Sequence, residues 1–385
     1  MEDPSMKRPL LALVAAAMIF GSTSPAGAAD PIKIGVNLEL SGPASGWGTP
    51  QLNSIQLYVD EANAKGGING RQIQIEVLDN KSDPSQAKLN TTKLIDDGVV
   101  AILGAGNTPD SMPMIPLVEA AKVPMIANAA AGAVTSPIAE RTYVFKTAPE
   151  DPQNSEKISQ FLLAHKWMNV AFLSVNTGYG DSGHGAFPPV ATQHGIKIVD
   201  DARFAPGDTD VTPQLTKIRD EKADAVIIWG NPPAVTIIAK NATQLGLKAK
   251  LIYAGGAGGA EFLAAGNDIK GVYLCETKLP VFSVLPASDA QRGILATYIK
   301  DYKAKFKTDP DAISSFAADG IQLLIAAMRK DGPTREGIEK GLNSMTKFPS
   351  NSGYYTFTPA EHAGLHTSDL VIAEATGSGW SIAMP

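Results

Sequence analysis

The sequence predicts an α/β protein of two doubly wound lobes, each a mostly parallel sheet covered by helices. Three observations lead there. Short runs apolar on both faces alternate with amphipathic helical segments, the pattern of strands buried in parallel sheets. That rhythm runs once and then restarts near residue 150. Without a leader, about 355 residues remain, more than one ordinary core organises.

The first strand is Ile32 to Leu38, and the next helix places Leu52, Ile55, Val59 and Ala62 on one face. Gly66-Gly67 ends that helix, because glycine takes positive φ without a Cβ clash. Ile73 to Leu78 is the next strand, then a helix opened near Asp83-Pro84, then strands Val99 to Leu103 and Val123 to Ile126. The second set has a helix through Ile158, Phe161 and Leu162. Its strands are Val170 to Leu173, Ile196 to Val199, Ala225 to Trp229, Leu251 to Tyr253 and Val272 to Leu274. From Gln291 to Met345 the pattern turns helical. Leu295, Tyr298, Ile299, Tyr302 and Phe306 line one helix, and Phe316, Leu324, Ile325 and Met328 another. Strands return at Tyr354 to Phe357, Leu370 to Ile372 and Trp380 to Ile382, so the chain crosses between lobes more than once. No short period repeats, which excludes a solenoid.

The opening stretch reads as an export leader over 1–28. Lys7 and Arg8 precede the apolar run Leu10 to Phe20, and Ala26-Gly27-Ala28 supplies the small residues of a cleavage site. Met6-Lys7-Arg8 offers a second natural start. The run is too short for a lasting membrane anchor, and no later segment is long and apolar enough to span. Cys275 is the single cysteine. It leaves no internal disulfide and no lipid attachment at the cleavage site, so a free periplasmic protein is expected. Glu2 and Asp3 balance Lys7 and Arg8, so the net charge of −6 belongs to the exported chain. A mildly acidic chain without basic clusters argues against nucleic acid.

Enzyme signatures are weak. Gly104-Ala105-Gly106 follows a strand, but Pro109 stands where a dinucleotide fingerprint needs glycine, and no phosphate-cradling loop is found. Gly180-Asp181-Ser182-Gly183 has the letters of a serine-protease sequence in an α/β context, where a polar turn explains it better. His362 and His366 have metal-ligand spacing but lie among Pro359, Gly364 and Thr367, which reads as a solvated turn between strands. Cys275 sits in an apolar strand and reads as core. No cofactor, metal or catalytic site is read, and the protein is expected not to be an enzyme.

More specific residues are Ser41-Gly42-Pro43 after the first strand, Trp47-Gly48, and Ala62-Asn63-Ala64-Lys65-Gly66-Gly67-Ile68-Asn69-Gly70. With Asp83-Pro84, Lys146-Thr147-Ala148, Tyr179-Gly180 and Leu245-Gly246-Leu247-Lys248, the chain strongly resembles the leucine/isoleucine/valine-binding proteins along its whole exported length. Those are the periplasmic solute receptors of branched-chain amino acid ABC transporters. The resemblance implies a type I periplasmic binding fold, a clamshell whose lobes are joined by a three-strand hinge. Crossings are implied near 145–147, 275–278 and 349–355. Lobe I would then be 29–146 with 278–349, and lobe II 147–277 with 350–385. Ligand touching both lobes would favour closure, and the closed monomer would dock transiently on an inner-membrane permease.

The resemblance also implies the pocket. A ligand carboxylate would meet Asn107 and Thr108 at a strand-to-helix turn, where free N–H groups and the helix dipole favour an anion. Amide support would come from Asn128, Ala129, Ala130 and Ala131. Thr108 also reads as a simple helix N-cap, and the two readings are compatible. Trp47, in a Gly-rich loop, either walls the cleft or packs; Tyr179 either closes over the ligand or shapes a turn; Phe316 fits ligand contact or core.

Three positions depart from the family. The second-lobe carboxylate that pairs with a ligand ammonium falls on Gly255, a threonine serving the same polar end falls on Ala131, and an aromatic hydroxyl falls on Asn231. A buried ammonium without an anion is costly, and Asp181 and Glu261 are the candidate acids to replace the missing one. The expected cargo is therefore a small carboxylate lacking an α-ammonium, such as an aromatic or other organic acid. Gly255 and Ala131 would make room for its bulk, and Trp47 and Tyr179 suit a flat ligand. A true branched-chain amino acid receptor and a sensory protein feeding a signalling partner are the alternatives.

Overall fold

The computed structural model describes Met1 and residues 30–384. The leader expected over 1–28 lies, Met1 apart, outside the described residues.

The first half alternates strand and helix as β1 (Ile32–Leu38), α1 (Ser45–Ala64), β2 (Ile73–Asp79), α2 (Pro84–Asp96), β3 (Ala101–Leu103), α3 (Thr108–Ser111), α4 (Ile115–Ala121), β4 (Met125–Ala127) and β5 (Val144–Lys146). The strands form a parallel sheet in the order β2-β1-β3-β4-β5. Local chemistry sets the boundaries. Asp83 Oδ1 accepts from the N–H groups of Ser85 (2.7 Å) and Gln86 (3.0 Å), capping α2 behind Pro84. Gly66 and Gly67 follow α1 at φ +94° and +74°.

The rhythm repeats as α5 (Asp151–His165), β6 (Asn169–Val175), α6 (Gly178–Gln193), β7 (Lys197–Phe204), α7 (Thr212–Asp220), β8 (Ala225–Trp229), α8 (Ala234–Leu245), β9 (Lys250–Tyr253), α9 (Ala260–Leu263) and β10 (Tyr273–Glu276). The late helices are α10 (Arg292–Phe306), α11 (Ala312–Asp331) and α12 (Arg335–Asn343). The strands β11 (Phe348–Pro349), β12 (Tyr354–Tyr355), β13 (Val371–Ala375) and β14 (Trp380–Met384) end the chain. The second sheet runs β14-β13-β10-β9-β8-β6-β7, parallel except for β13 and β14 at one edge.

Each sheet has its own core. Ile34, Val36, Leu103 and Ile126 meet Leu324 and Met328 in the first lobe; Phe172, Ile227, Ile252 and Leu274 meet Phe187 and Trp229 in the second. The late helices return to the first lobe, where α11 packs on α1 and Ser54 Oγ lies 2.8 Å from the Tyr298 hydroxyl. The turn at Leu279–Val284 instead packs against β14.

Asp319, on α11, anchors the segment 351–355. Its carboxyl accepts from the backbone N–H of Asn351 (2.9 Å) and of Ser352 (3.0 Å). The buried Tyr355 hydroxyl donates to the Thr147 carbonyl (2.7 Å) and lies 3.2 Å from Asp319 Oδ2. Burial pushes the Asp319 pKa up to about 6.

Three local expectations change. Gly180 to Gly183 lies inside α6 rather than in a turn. Glycine is a weak helix former, but Gly183 lies against the Trp229 indole, where a Cβ would collide. His362 is buried rather than solvated. Its ring stacks on Phe145 at 4.0 Å, Nδ1 lies 2.9 Å from the Val144 carbonyl, and Nε2 lies 2.9 Å from Asn343 Oδ1. The strand expected over Tyr354 to Phe357 is only the two-residue β12, paired with β11. Cys275 is core, as expected, and burial raises its thiol pKa.

Candidate functional site

Six segments that follow the C-terminal ends of parallel strands converge between the sheets. In open α/β sheets these ends are where ligands bind, because loops there diverge and leave a crevice. The chain after β1 leads to Trp47, after β3 to Gly106-Asn107-Thr108, and after β4 to Asn128–Ala131. From the second sheet come Tyr179 after β6, Asn231 after β8, and Gly255-Gly256 after β9. They enclose an inner cavity of about 30 Å³, adjoining an outer one of about 260 Å³; Trp47, Asn107 and Asn231 line both. The inner cavity has room for about two waters.

Of the residues singled out in the sequence, Trp47, Asn107, Thr108, Asn128, Ala130, Tyr179, Asn231, Gly255 and Phe316 line the inner cavity. Ala129 and Ala131 are buried and do not line it, so Ala131 opens no space for ligand bulk. Trp47 belongs to the first turn of α1, not to a loop, and packs with Ala148, Ile313 and Phe316. Gly46, Gly48 and Pro50 are poor helix formers, and this tertiary packing outweighs their propensity. Phe316 is both core and lining.

Asn107, rather than Thr108, caps α3, its Oδ1 accepting from Asp110 N–H at 2.9 Å. Thr108 opens the helix, and its Oγ1 accepts from Ala131 N–H at 3.4 Å. The helix is a single turn, so its dipole contributes less than the sequence implied. Asn128 Nδ2 donates to Gln51 Oε1 at 2.8 Å, and its Oδ1 accepts from Thr147 Oγ1 at 3.2 Å. The Tyr179 hydroxyl accepts from Gly256 N–H at 3.1 Å. That bond holds α6 to the loop after β9, so Tyr179 is shaped by its own lobe as well as by the cavity.

Several charged groups around the site are buried. Lys146 lies beneath the Ala130–Ala131 loop, donating to both carbonyls; burial lowers its pKa. Asp151 accepts from Trp229 Nε1 at 3.1 Å, from Gly132 N–H at 3.2 Å and from the Ser182 hydroxyl, and burial raises its pKa. Glu39 accepts from Gly106 N–H at 3.0 Å, and burial, then the neighbouring Asp110, push its pKa up to about 8.

The acids weighed from sequence are placed otherwise. Asp181 pairs with Arg203 on the surface, and Glu261 lines only the outer cavity. The acid beside Gly255 is Glu276, at the end of β10. Parallel pairing of Tyr253 with Leu274 places position 276 beside position 255. Glu276 Oε1 accepts from Thr277 N–H at 2.7 Å, while Oε2 is buried without a hydrogen-bond partner among the described residues. Burial raises its pKa to about 8. Trp47 Nε1 and Asn154 Oδ1 are likewise buried and unpartnered. A charged residue ending an apolar strand was the only sequence signal for Glu276; its nearness to Gly255 depends on strand order.

Among the described residues, no helix is long and apolar enough to cross a membrane, and no group of three or more His, Cys, Asp or Glu is placed to hold a metal ion.

A sequence model of the periplasmic binding proteins matches residues 31–379. The Leu/Ile/Val-binding protein BraC3 of Rhizobium johnstonii is 28% identical over 333 residues, covering 85% of this chain and 87% of that protein. Among solved structures, an extracellular ligand-binding receptor from Rhodopseudomonas palustris HaA2 superposes with a TM-score of 0.85 at 24% identity, covering 91% of this chain and 99% of that one. An R. palustris solute-binding protein of an ABC transporter, solved in complex with benzoate, gives 0.80 at 20% identity, covering 92% and 96%. With the family match spanning nearly every described residue, the chain belongs to the periplasmic binding proteins.

Proposed function

We infer that this protein is the periplasmic solute-binding subunit of an ABC importer, and that its cargo is a small organic carboxylate without an α-ammonium, held between the lobes. The carboxylate end is assigned to Asn107 and Thr108, and the organic body to the wall of Trp47, Ile313, Phe316 and Tyr179. The inner cavity, about 30 Å³, admits only small terminal groups, so bulk lies toward the outer cavity. In this reading the protein works as a monomer, binds without turnover and hands its ligand to a membrane permease.

One observation carries the choice of cargo. No ionised side chain stands where the family's ammonium partner is implied: that position is Gly255, and Glu276 behind it holds a proton at neutral pH because burial raises its pKa to about 8. An ammonium would have to ionise Glu276 in a buried setting; a neutral group would not. The benzoate carried by one structural relative agrees with an aromatic acid. A second reading, a branched-chain amino acid receptor, is favoured by the name of BraC3 and by the free Glu276 oxygen.

Calorimetry on ligand-stripped protein with leucine, valine, benzoate and short-chain acids tests this. Saturable binding of an acid, with leucine and valine silent, is expected. Tight leucine binding with no heat from the acids refutes the cargo assignment in favour of the second reading.

A further inference from the structure

The outer cavity, of about 260 Å³, is where the body of a ligand has room, and its lining is one-sided in charge. Among the described residues, neither cavity is lined by a lysine, arginine or histidine. The carboxylate side chains that do line them, Asp110 and Glu261, both belong to the outer one. Glu261 is exposed, on the short helix α9. Asp110 is buried, and Asn107 Nδ2 donates to its Oδ2 at 2.7 Å, while Oδ1 has no hydrogen-bond partner among the described residues. Burial raises the pKa of Asp110 and of its neighbour Glu39, that of Glu39 to about 8. Glu39 therefore holds the proton at neutral pH, and the charge of the pair stays on Asp110. The outer cavity is also poor in groups that could hold an anion. Pro43, Pro109, Pro206 and Pro232 line it from four separate segments and offer no backbone N–H. Other lining donors are already engaged. Ser82 Oγ donates to the Ser41 carbonyl at 3.0 Å, Ala44 N–H to Ser82 Oγ at 3.1 Å, and Ala260 N–H to Asp311 Oδ2 at 2.8 Å.

We propose that the outer cavity takes an uncharged body and turns away a second anion, so that the cargo is a monocarboxylate and diacids are rejected by Glu261 and Asp110. The proposal rests on the carboxylate reading above and narrows it. The one carboxylate stays at Asn107 and Thr108, toward the inner cavity, and the far end of the molecule bears no charge of the same sign. Four proline rings and the Trp47 indole give that end an apolar wall. A second carboxylate would leave water without a base to pair with and with its hydrogen bonds poorly replaced. It would also stand near two like charges, a repulsion equivalent to about 10-fold in affinity at a solvent-open cleft.

The test is titration calorimetry at pH 7 on the full exported chain, cleared of bound ligand. Each diacid is compared with its own monomethyl ester, which has nearly the same shape and one charge fewer. Isophthalate, terephthalate and glutarate form the pairs, with benzoate and leucine alongside. At least one ester should bind about 10-fold tighter than its diacid at low salt. The gap should shrink as ionic strength rises, because the exposed Glu261 is screened. Glu261→Gln should narrow the gap and Glu261→Arg should reverse it. Glu140→Gln removes a charge from a side chain that is 71% exposed and lines neither cavity, and should leave the gap as it is in the wild type. A diacid bound as tightly as its ester in every pair overturns the monocarboxylate assignment while leaving the carboxylate reading standing. So does a gap that neither Glu261 variant moves, or that Glu140→Gln moves as much. Benzoate bound with every ester silent overturns it too, since the outer cavity would then be closed to an uncharged body. Binding of none of the acids or esters, whether or not leucine binds, overturns the carboxylate reading and the monocarboxylate assignment with it.

Discussion

Replacing Glu276 with glutamine should stabilise the empty protein, increasingly so as pH rises from 5 to 8. In the folded chain the pKa of Glu276 is about 8, against an ordinary value of 4.5. Between those values the folded protein keeps a proton that the unfolded chain has released, so stability falls as pH rises, by about 1.4 kcal/mol per pH unit. The loss is absent below the unfolded pKa, and by pH 7 it reaches about 3 kcal/mol, a sizeable part of the total of about 5–15 kcal/mol typical of a folded domain. Glutamine is nearly isosteric, keeps an acceptor for Thr277 N–H and carries no titratable burden. The difference between variant and wild type should therefore be under about 1 kcal/mol at pH 5 and about 3 kcal/mol at pH 7, flattening above pH 8. Glu39 and Asp319, whose pKa values are also raised, weaken both proteins alike as pH rises and cancel in the comparison. Urea unfolding followed by tryptophan fluorescence at pH 5, 6, 7 and 8 measures this, since Trp229 is fully buried in the second core. A difference that does not change with pH, or a variant less stable than wild type at pH 7, refutes the burial argument.

Two further substitutions probe the frame that holds the cleft. Tyr355→Phe removes the hydroxyl that lies 2.7 Å from the Thr147 carbonyl and 3.2 Å from Asp319, and should cost about 1–2 kcal/mol in thermal unfolding; an unchanged melting midpoint would show that the contact is idle. Gly183→Ala pushes a methyl into the Trp229 indole and should cost about 1–3 kcal/mol, with a shifted tryptophan emission. A variant as stable as wild type, with an unchanged spectrum, would mean that α6 does not approach β8 as closely as described.

Much of the scaffold was legible because its signals are local. The strands Ile32–Leu38, Ala225–Trp229 and Lys250–Tyr253 are short apolar runs, and α1, α2 and α11 carry apolar faces at helical spacing with a cap or a stop at hand. Where local signals were poor, they misled. The glycines and prolines around Trp47 and Gly180–Gly183 argued for loop or turn, yet both stretches are helical, because packing against Ile313 and Phe316 or against Trp229 outweighs propensity. His362 shows the same limit: its sequence neighbours are polar turn residues, and its real neighbours, Phe145 and Asn343, are far along the chain.

By itself, the sequence determined the alternation of strand and helix, the doubling of that rhythm and the family resemblance. It also located most of the residues that line the inner cavity. Each depends on residue spacing or on a motif that survives without coordinates. The identity of the acid beside Gly255 belonged to the tertiary structure. Sequence placed the candidates at Asp181 and Glu261, but Arg203 draws the first to the surface and the second faces only the outer cavity. Glu276 takes the place because β10 pairs in parallel with β9, and burial in that sheet decides that it carries a proton rather than a charge. Strand order and desolvation are properties of the folded whole, and neither is encoded in the few residues on either side.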